Sequence, residues 1–377
     1  MSTTTPIEPH LTHRERVRAA GLSGDYWYPA MWSGDLKKGE VKEVVFWKES
    51  IAVYRGDDGV VRAIEDRCAH RHVKMSLGVV QGCDLACGYH GWQFDGGGEC
   101  TKIPHEVRTK NRPDIRVGSF PVTEKYGIVW VFPGDPEKAQ LSALPHMEPV
   151  EKNWATIPVD YVVKCHHSMI VENVCDFYHE FLHRDYRPFA SARFTGIDTT
   201  DDSVEVRYET KIGGGPFVKY FADSGSVNLN TIKLWYEYPF QRSDIDGKYL
   251  HWLFLRPIDE QTTHIFYVFT FKSFKLPFVK ATLPRWLQQP VMALANKLYV
   301  QPVLGQDNWI MEAEQVAHNR HGGRPSFEFN PFVPKAQQLT MKKWDEYEAS
   351  LKKRVSTTKK AGRATESPSA AALQVAE

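Results

Sequence analysis

The chain carries almost no net charge and no long apolar run, and each absence excludes a class of function. Its 47 Lys and Arg balance 46 Asp and Glu to a formal charge of +1, so no global field draws it to nucleic acid or to an anionic membrane surface. The most apolar region, Leu276 to Leu304, is interrupted by Lys280, Arg285, Lys297 and several prolines. A spanning helix needs roughly 18 uninterrupted apolar residues, so no membrane span is expected. The amino-terminal stretch shows no charged region, apolar core and small-residue cleavage site in succession, and a cytoplasmic protein is expected. Cysteine is sparse: Cys68, Cys83, Cys87, Cys100, Cys165 and Cys175 are too dispersed for a disulfide scaffold, and metal ligation is the better use of them. No internal repeat is visible.

What the chain does have is material for cores, with 42% hydrophobic and 12% aromatic residues in 377, enough for one large or two ordinary domains. An α+β organisation follows from the order of its patterns. Residues 1–40 read as a polar start followed by an aromatic cluster, YWYPAMW, that packs on the catalytic domain. Residues 41–150 alternate β-rich runs (VVFW, IAVYR, VVRAIE, GIVWVF) with turn signals such as Asp57-Asp58-Gly59, which predicts a small antiparallel β domain. Residues 151–353 open on an apolar-periodic helical run. Strands rich in aromatic and β-branched residues follow (VEVRYET, VNLNTIKLWYEYPF, KYLHWLFLRPID, THIFYVFTFKSF), predicting an extended antiparallel sheet. Helices are expected over Pro284–Val300, Gly305–Asn319 and Leu339–Lys353, and residues 354–377 have the composition of a disordered tail. The strand aromatics alternate, so about half should face a core or pocket, and register decides which half.

Two stretches carry chemistry. In the first, one residue lies between Cys68 and His70, two between Cys87 and His90, and sixteen between the pairs. Two thiolates and two imidazoles can hold an iron–sulfur cluster or a structural zinc. The C-x-H spacing is tight for a zinc finger, and the β framework lacks the finger's helix. Cys83 and Cys100 lie off the pattern and read as small apolar side chains. In the second stretch, Glu172 to His183, the residues Asp176, His179 and His183 are three and then four apart, which on a helix stacks them on one face. The letters also spell H-E-x-x-H, so a zinc metallopeptidase with Glu180 as general base is the competing enzyme. That reading leaves the Cys and His pairs without a purpose. If Glu180 is incidental, it faces solvent or pairs with Arg184. His166 and His167 take bland roles, one against the sheet and one in a local hydrogen bond. Two imidazoles and a carboxylate on one triangular face would suit a non-haem Fe(II) with open positions, and GQDNWIMEAEQ offers Asp307, with Glu312 as the weaker alternative.

From about Trp27 to Lys353 the chain resembles the terminal oxygenase α subunit of Rieske non-haem iron oxygenases, and most of all the single-subunit group that includes the carbazole dioxygenase terminal oxygenase. CAHRH and CGYHGWQFD look like its two cluster loops, though His72 stands where Gly is common. The extra cysteine pair of respiratory Rieske proteins is replaced by Val73 and Tyr89. The family's N-x-x-D-x-x-H motif and second His are matched by Asn173, Asp176, His179 and His183. The resemblance implies a [2Fe-2S] Rieske cluster on Cys68, His70, Cys87 and His90, and an Fe(II) on His179, His183 and Asp307. It implies a catalytic domain of helix-grip type and a homotrimer in which the Asp176 carboxylate bridges His90 and His179 across subunits. It further implies O2, a small cyclic or aromatic substrate that is hydroxylated, dihydroxylated or demethylated, and electrons from an NAD(P)H-dependent reductase with or without a ferredoxin. A Rieske electron carrier without oxygenase activity would need only the first 150 residues.

Overall fold

The structure is a computed structural model, which describes residues 11–104, 114–212, 230–272 and 285–365. After helix α1 (His13–Ala19), the chain builds small antiparallel sheets. Strand β1 (Tyr28–Trp32) pairs with β10 (Ile128–Val131), and β10 with β9 (Val122–Lys125). Strands β2 (Val41–Phe46), β3 (Glu49–Arg55) and β4 (Val61–Glu65) form a meander, and β5 (Val79–Gln81), β6 (Asp84–Ala86), β7 (Gln93–Phe94) and β8 (Cys100–Lys102) a second. The aromatic cluster near residue 28 is therefore itself a strand, because Tyr28 and Pro29 are in register with Val131 and Trp130.

After the short helix α2 (Glu148–Glu151), β11 (Ala155–Val163) leads into helix α3 (His167–Cys175). Then come β12 (Phe189–Thr199), β13 (Ser203–Ile212), β14 (Asn230–Glu237), β15 (Phe240–Ile245), β16 (Tyr249–Asp259) and β17 (Thr262–Phe271). They make one seven-stranded antiparallel sheet in the order β11-β17-β16-β15-β14-β13-β12. Helices α4 (Arg285–Ala295), α5 (Gln301–His321) and α6 (Phe332–Thr365) follow, with a π-helical turn over Asn296–Val300 between α4 and α5. α6 thus runs beyond the predicted end at Lys353, and the last twelve residues lie outside the described ones. Part of the run 227–240 also lies outside them; the rest is two strands, broken by a turn at Tyr238 and Pro239.

Register gives the sheet an inner face with Tyr208, Leu234, Tyr236, Leu253, Ile265, Tyr267 and Phe269. Tyr236 meets Thr340 of α6 at 2.9 Å, and Tyr208 donates to the Cys175 carbonyl at the end of α3 at 3.1 Å. The opposite face is covered by the first domain: Trp130 packs edge-on to Phe254, and Trp32 to Phe266. Of the strand aromatics expected to divide half and half, all but Trp235 are buried, because both faces of β16 and β17 are covered.

Candidate metal centres

The two Cys-His loops have the same backbone construction. The Cys68 N–H donates to the Val73 carbonyl at 2.9 Å and the His72 N–H to Cys68 at 2.9 Å; the Cys87 N–H donates to Trp92 at 2.8 Å and the Gly91 N–H to Cys87 at 2.9 Å. The residue four after each cysteine is left-handed, His72 at φ 58° and Gly91 at φ 69°. Histidine tolerates that region better than most residues, so the His72 loop keeps the geometry of its glycine counterpart. Both thiols are buried, and burial raises the Cys68 pKa, with Cys87 close enough to add to it. The His70 and His90 rings lie 4.7 Å apart on the exposed side, His70 stacked on Trp92. Two adjacent buried sulfurs beside two paired imidazoles fit a cluster with one iron on each pair.

The second stretch departs from the single helix expected for Glu172 to His183. Helix α3 stops at Cys175, and Asp176 is extended at φ −101°, ψ 101°. The cause is local competition for the backbone. The Asp176 carboxylate accepts the Tyr178 N–H at 2.9 Å, and His179 Nδ1 donates to the Asp176 carbonyl that a continuing helix would use. His179 and His183 therefore sit in a chain of turns, with rings 5.1 Å apart. His179 bonds the Asp176 backbone carbonyl rather than the carboxylate, and among the described residues no hydrogen bond joins Asp176 to His90 within the chain.

Asp307, in the first turns of α5, reaches the same point. Its Oδ1 is 3.2 Å from His183 Nε2 and 3.6 Å from His179 Nε2, and one ligand atom from each of the three residues falls within 4.8 Å of the others. Ligands about 2.1 Å from one ion stand about 3.0–3.4 Å apart, a range that holds the His183–Asp307 pair and that the His179–Asp307 pair exceeds slightly, so a small inward shift would let the three share one metal. The Oδ1 atom is buried without a well-formed hydrogen bond. Burial lowers the His179 pKa; it opposes protonation of His183 too, but Asp307 and Gln306 outweigh it and the net shift is upward. His183 Nδ1 lies 2.9 Å from Gln306 Oε1, so both imidazoles hold their Nδ1 proton on a protein oxygen and turn a bare Nε2 inward.

Glu312 accepts the Lys164 N–H at 3.0 Å and stands outside this triad. Glu180 faces solvent, the first of its two expected roles, and accepts the Ser191 N–H, while Arg184 covers the Phe181 ring instead of pairing with Glu180. Asn173, in the last turn of α3, has a buried Oδ1 without a partner. His166 and His167 both donate to the Ala20 carbonyl, at 2.9 and 2.8 Å, and His166 also caps α3, so both, not one, are held by hydrogen bonds. Two participants escaped the sequence reading. Gln306 had one available signal, adjacency to Asp307. Phe189, whose ring lies edge-on to both His179 and His183 at 5.2 and 5.6 Å, had none, because β12 was not recognised as a strand.

Comparison with known proteins agrees with both centres. The family model of the Rieske [2Fe-2S] domain matches residues 26–121, and that of the vanillate O-demethylase oxygenase C-terminal domain matches residues 163–345. The 4beta-methylsterol monooxygenase of Methylococcus capsulatus is 45% identical over 350 residues, covering 92% of this chain and 95% of that protein. The oxygenase component of dicamba O-demethylase from Stenotrophomonas maltophilia is 34% identical over 196 residues, 50% of this chain and 56% of that one. The crystal structure of dicamba monooxygenase bound to dicamba superimposes with a TM-score of 0.72 over 88% of this chain and 100% of that one; at 22% identity the likeness is one of fold. A Rieske cluster domain joined to an iron-site domain on a seven-stranded sheet, with relatives of this kind, makes the chain a member of the Rieske non-haem iron oxygenases, an oxidoreductase that takes O2, a substrate and electrons from a separate donor.

Proposed function

We propose that the chain is the terminal component of a monooxygenase that oxidises a methyl carbon on a sterol-type polycyclic alcohol. The supporting observation is the 45% identity to a 4beta-methylsterol monooxygenase, which runs through both centres and the whole sheet. The inner face of β16 and β17 has the character such a ligand would need, since Leu253, Ile265 and Phe269 make it aliphatic and aromatic.

In this reading Cys68, His70, Cys87 and His90 hold the cluster, and His179, His183 and Asp307 hold Fe(II). The iron supplies activation of O2, so that R–CH3, O2, two electrons and two protons become R–CH2OH and water. The chain's own groups arrange that chemistry. Gln306 and the Asp176 carbonyl keep each Nδ1 protonated, Phe189 covers the rings of both histidines, and a metal held by only three protein ligands would keep positions free for chemistry. Electrons come from an NAD(P)H-dependent reductase, directly or through a ferredoxin. His90 is exposed and the Asp176 carboxylate lies at the surface end of α3, an arrangement suited to a homotrimer in which they meet across subunits, with Asn173 ordering the end of the helix. We place the protein in the cytoplasm, where NAD(P)H is available.

The test is turnover by anaerobically purified holoenzyme with a surrogate reductase, a 4-methylsterol and O2, read by mass spectrometry as a hydroxymethyl or further oxidised product. Turnover of methoxybenzoates with none of the sterol would replace this reading with aromatic O-demethylation.

A further inference from the structure

On the inner face of the sheet sits a polar group for which the metal chemistry has no use. Gln241 and Ser243 on β15 are buried, and the side chain of His251 on β16 completes the set. Ser243 and His251 are cross-strand partners. Gln241 Nε2 donates to the Arg242 carbonyl at 3.0 Å and to Ser243 Oγ at 2.7 Å. The carbonyl can only accept, so it fixes the amide's orientation and leaves Gln241 Oε1 as an acceptor facing His251 Nε2 at 3.1 Å. His251 Nε2 must then carry the ring proton, with Ser243 Oγ also 3.1 Å away. The other nitrogen, Nδ1, is bare, buried and without a hydrogen-bond partner. Burial holds the His251 pKa down to about 3, so the ring stays neutral across the physiological range.

The position lies on the same face of the sheet as Leu253 and Tyr267. His251 is opposite Phe269, two residues along β16 from Leu253, whose partner is Tyr267. Burial and the Asp307 carboxylate both raise the Tyr267 pKa, which places that phenol near the triad. Two residues of strand span about 7 Å. Neither of the rings beside His251, Tyr249 at 6.0 Å and Phe269 at 5.4 Å, makes a hydrogen bond to Nδ1.

We propose that His251 Nδ1 is the acceptor that selects a neutral hydroxyl on the substrate, held in that tautomer by Gln241 and Ser243. A bare acceptor in an apolar wall fits a donor, and a carboxylate, which only accepts, would face it lone pair to lone pair. A sterol is by definition a 3-hydroxy compound, and the hydroxyl is one carbon from the position bearing a 4-methyl group. The choice of ligand rests on the sterol reading; the acceptor itself does not.

The experiment measures dissociation constants and kcat/KM of the holoenzyme for a 4-methylsterol, its 3-deoxy analogue and its 3-methyl ether, in the native protein and in His251→Leu and His251→Asn. A buried acceptor left unpaired costs binding on the order of 10- to 100-fold, so the native protein should lose that much on going from the alcohol to either analogue. His251→Leu should bring all three ligands within about threefold, and His251→Asn, which keeps an acceptor, should restore part of the preference. Native protein that binds the deoxy analogue as tightly as the alcohol overturns the proposal while sterol oxidation stands, and needs no variant to fold. If no sterol binds, the proposed function has failed, and 4-methoxybenzyl alcohol against 4-methoxybenzoate decides the acceptor. Preference for the alcohol that His251→Leu abolishes upholds it, and preference for the carboxylate overturns it.

Discussion

Glu172 begins the stretch on which the iron site is built, and its removal should unfold the supports of that site before it touches the iron. The side chain of Arg18, 3% exposed, meets Glu172 with two nitrogens at 2.6 and 2.7 Å, tying α1 to α3, and Gln337 of α6 donates to the same carboxylate at 3.0 Å. Breaking a buried pair by deleting one partner costs about 3–5 kcal/mol, because the remaining charge stays desolvated. Glu314, with its oxygen 3.4 Å from Arg18, keeps part of the compensation. Glu172→Ala should therefore cost roughly 2–4 kcal/mol, which for a domain of this size is about 5–15 °C in Tm. Replacing both partners, as Arg18→Met with Glu172→Leu, should recover most of the loss, since an apolar pair of similar volume has no charge to desolvate. Thermal unfolding followed by tryptophan fluorescence and by the visible absorption of the cluster distinguishes loss at the helices from loss at the loops. A shift below about 2 °C for Glu172→Ala, or a double variant no more stable than the single, refutes the argument.

Asp307→Asn should deplete mononuclear iron, measured by metal analysis, while the cluster's EPR signal remains; Glu312→Gln should leave both in place, since its carboxylate holds the Lys164 backbone. Gly91→Ala should lower cluster occupancy, because φ 69° costs a residue with a Cβ about 1–2 kcal/mol and the new Cβ would stand 3.1 Å from Pro104 Cγ. His72→Asn, which tolerates the same backbone, should keep the visible spectrum. His166 and His167 are fully buried and neutral, and burial depresses both pKa values, that of His167 to about 3. The unfolded chain takes up these protons below about pH 6.5 and the folded one does not, so each histidine should remove about 1.4 kcal/mol of stability per unit as pH falls from 6.5 towards 3. Urea titrations at pH 7 and 5 check this, and His167→Gln should show the shallower dependence.

By itself the sequence determined which chemistry is possible and little of how it is assembled. Cys68, His70, Cys87 and His90 were legible because a cluster loop is local: a few residues and two hydrogen bonds per loop set its shape, and spacing encodes it. The strands β13, β14, β16 and β17 were legible because alternation with period two survives in any β context, whereas β15 lay almost wholly between the runs that were read. Tertiary structure decided the rest. The helix predicted through His183 ends at Cys175 because the Asp176 carboxylate and His179 compete for its backbone, a contest that helical spacing does not record. The aromatics did not split between core and solvent, because the first domain covers the sheet's second face. The third corner of the triad came within 3.2 Å of His183 only when α5 packed against α3, across more than a hundred residues of chain. His251 was one more strand residue until register placed its Nε2 against Gln241 and Ser243 and left Nδ1 bare, since a tautomer is set by neighbours in space.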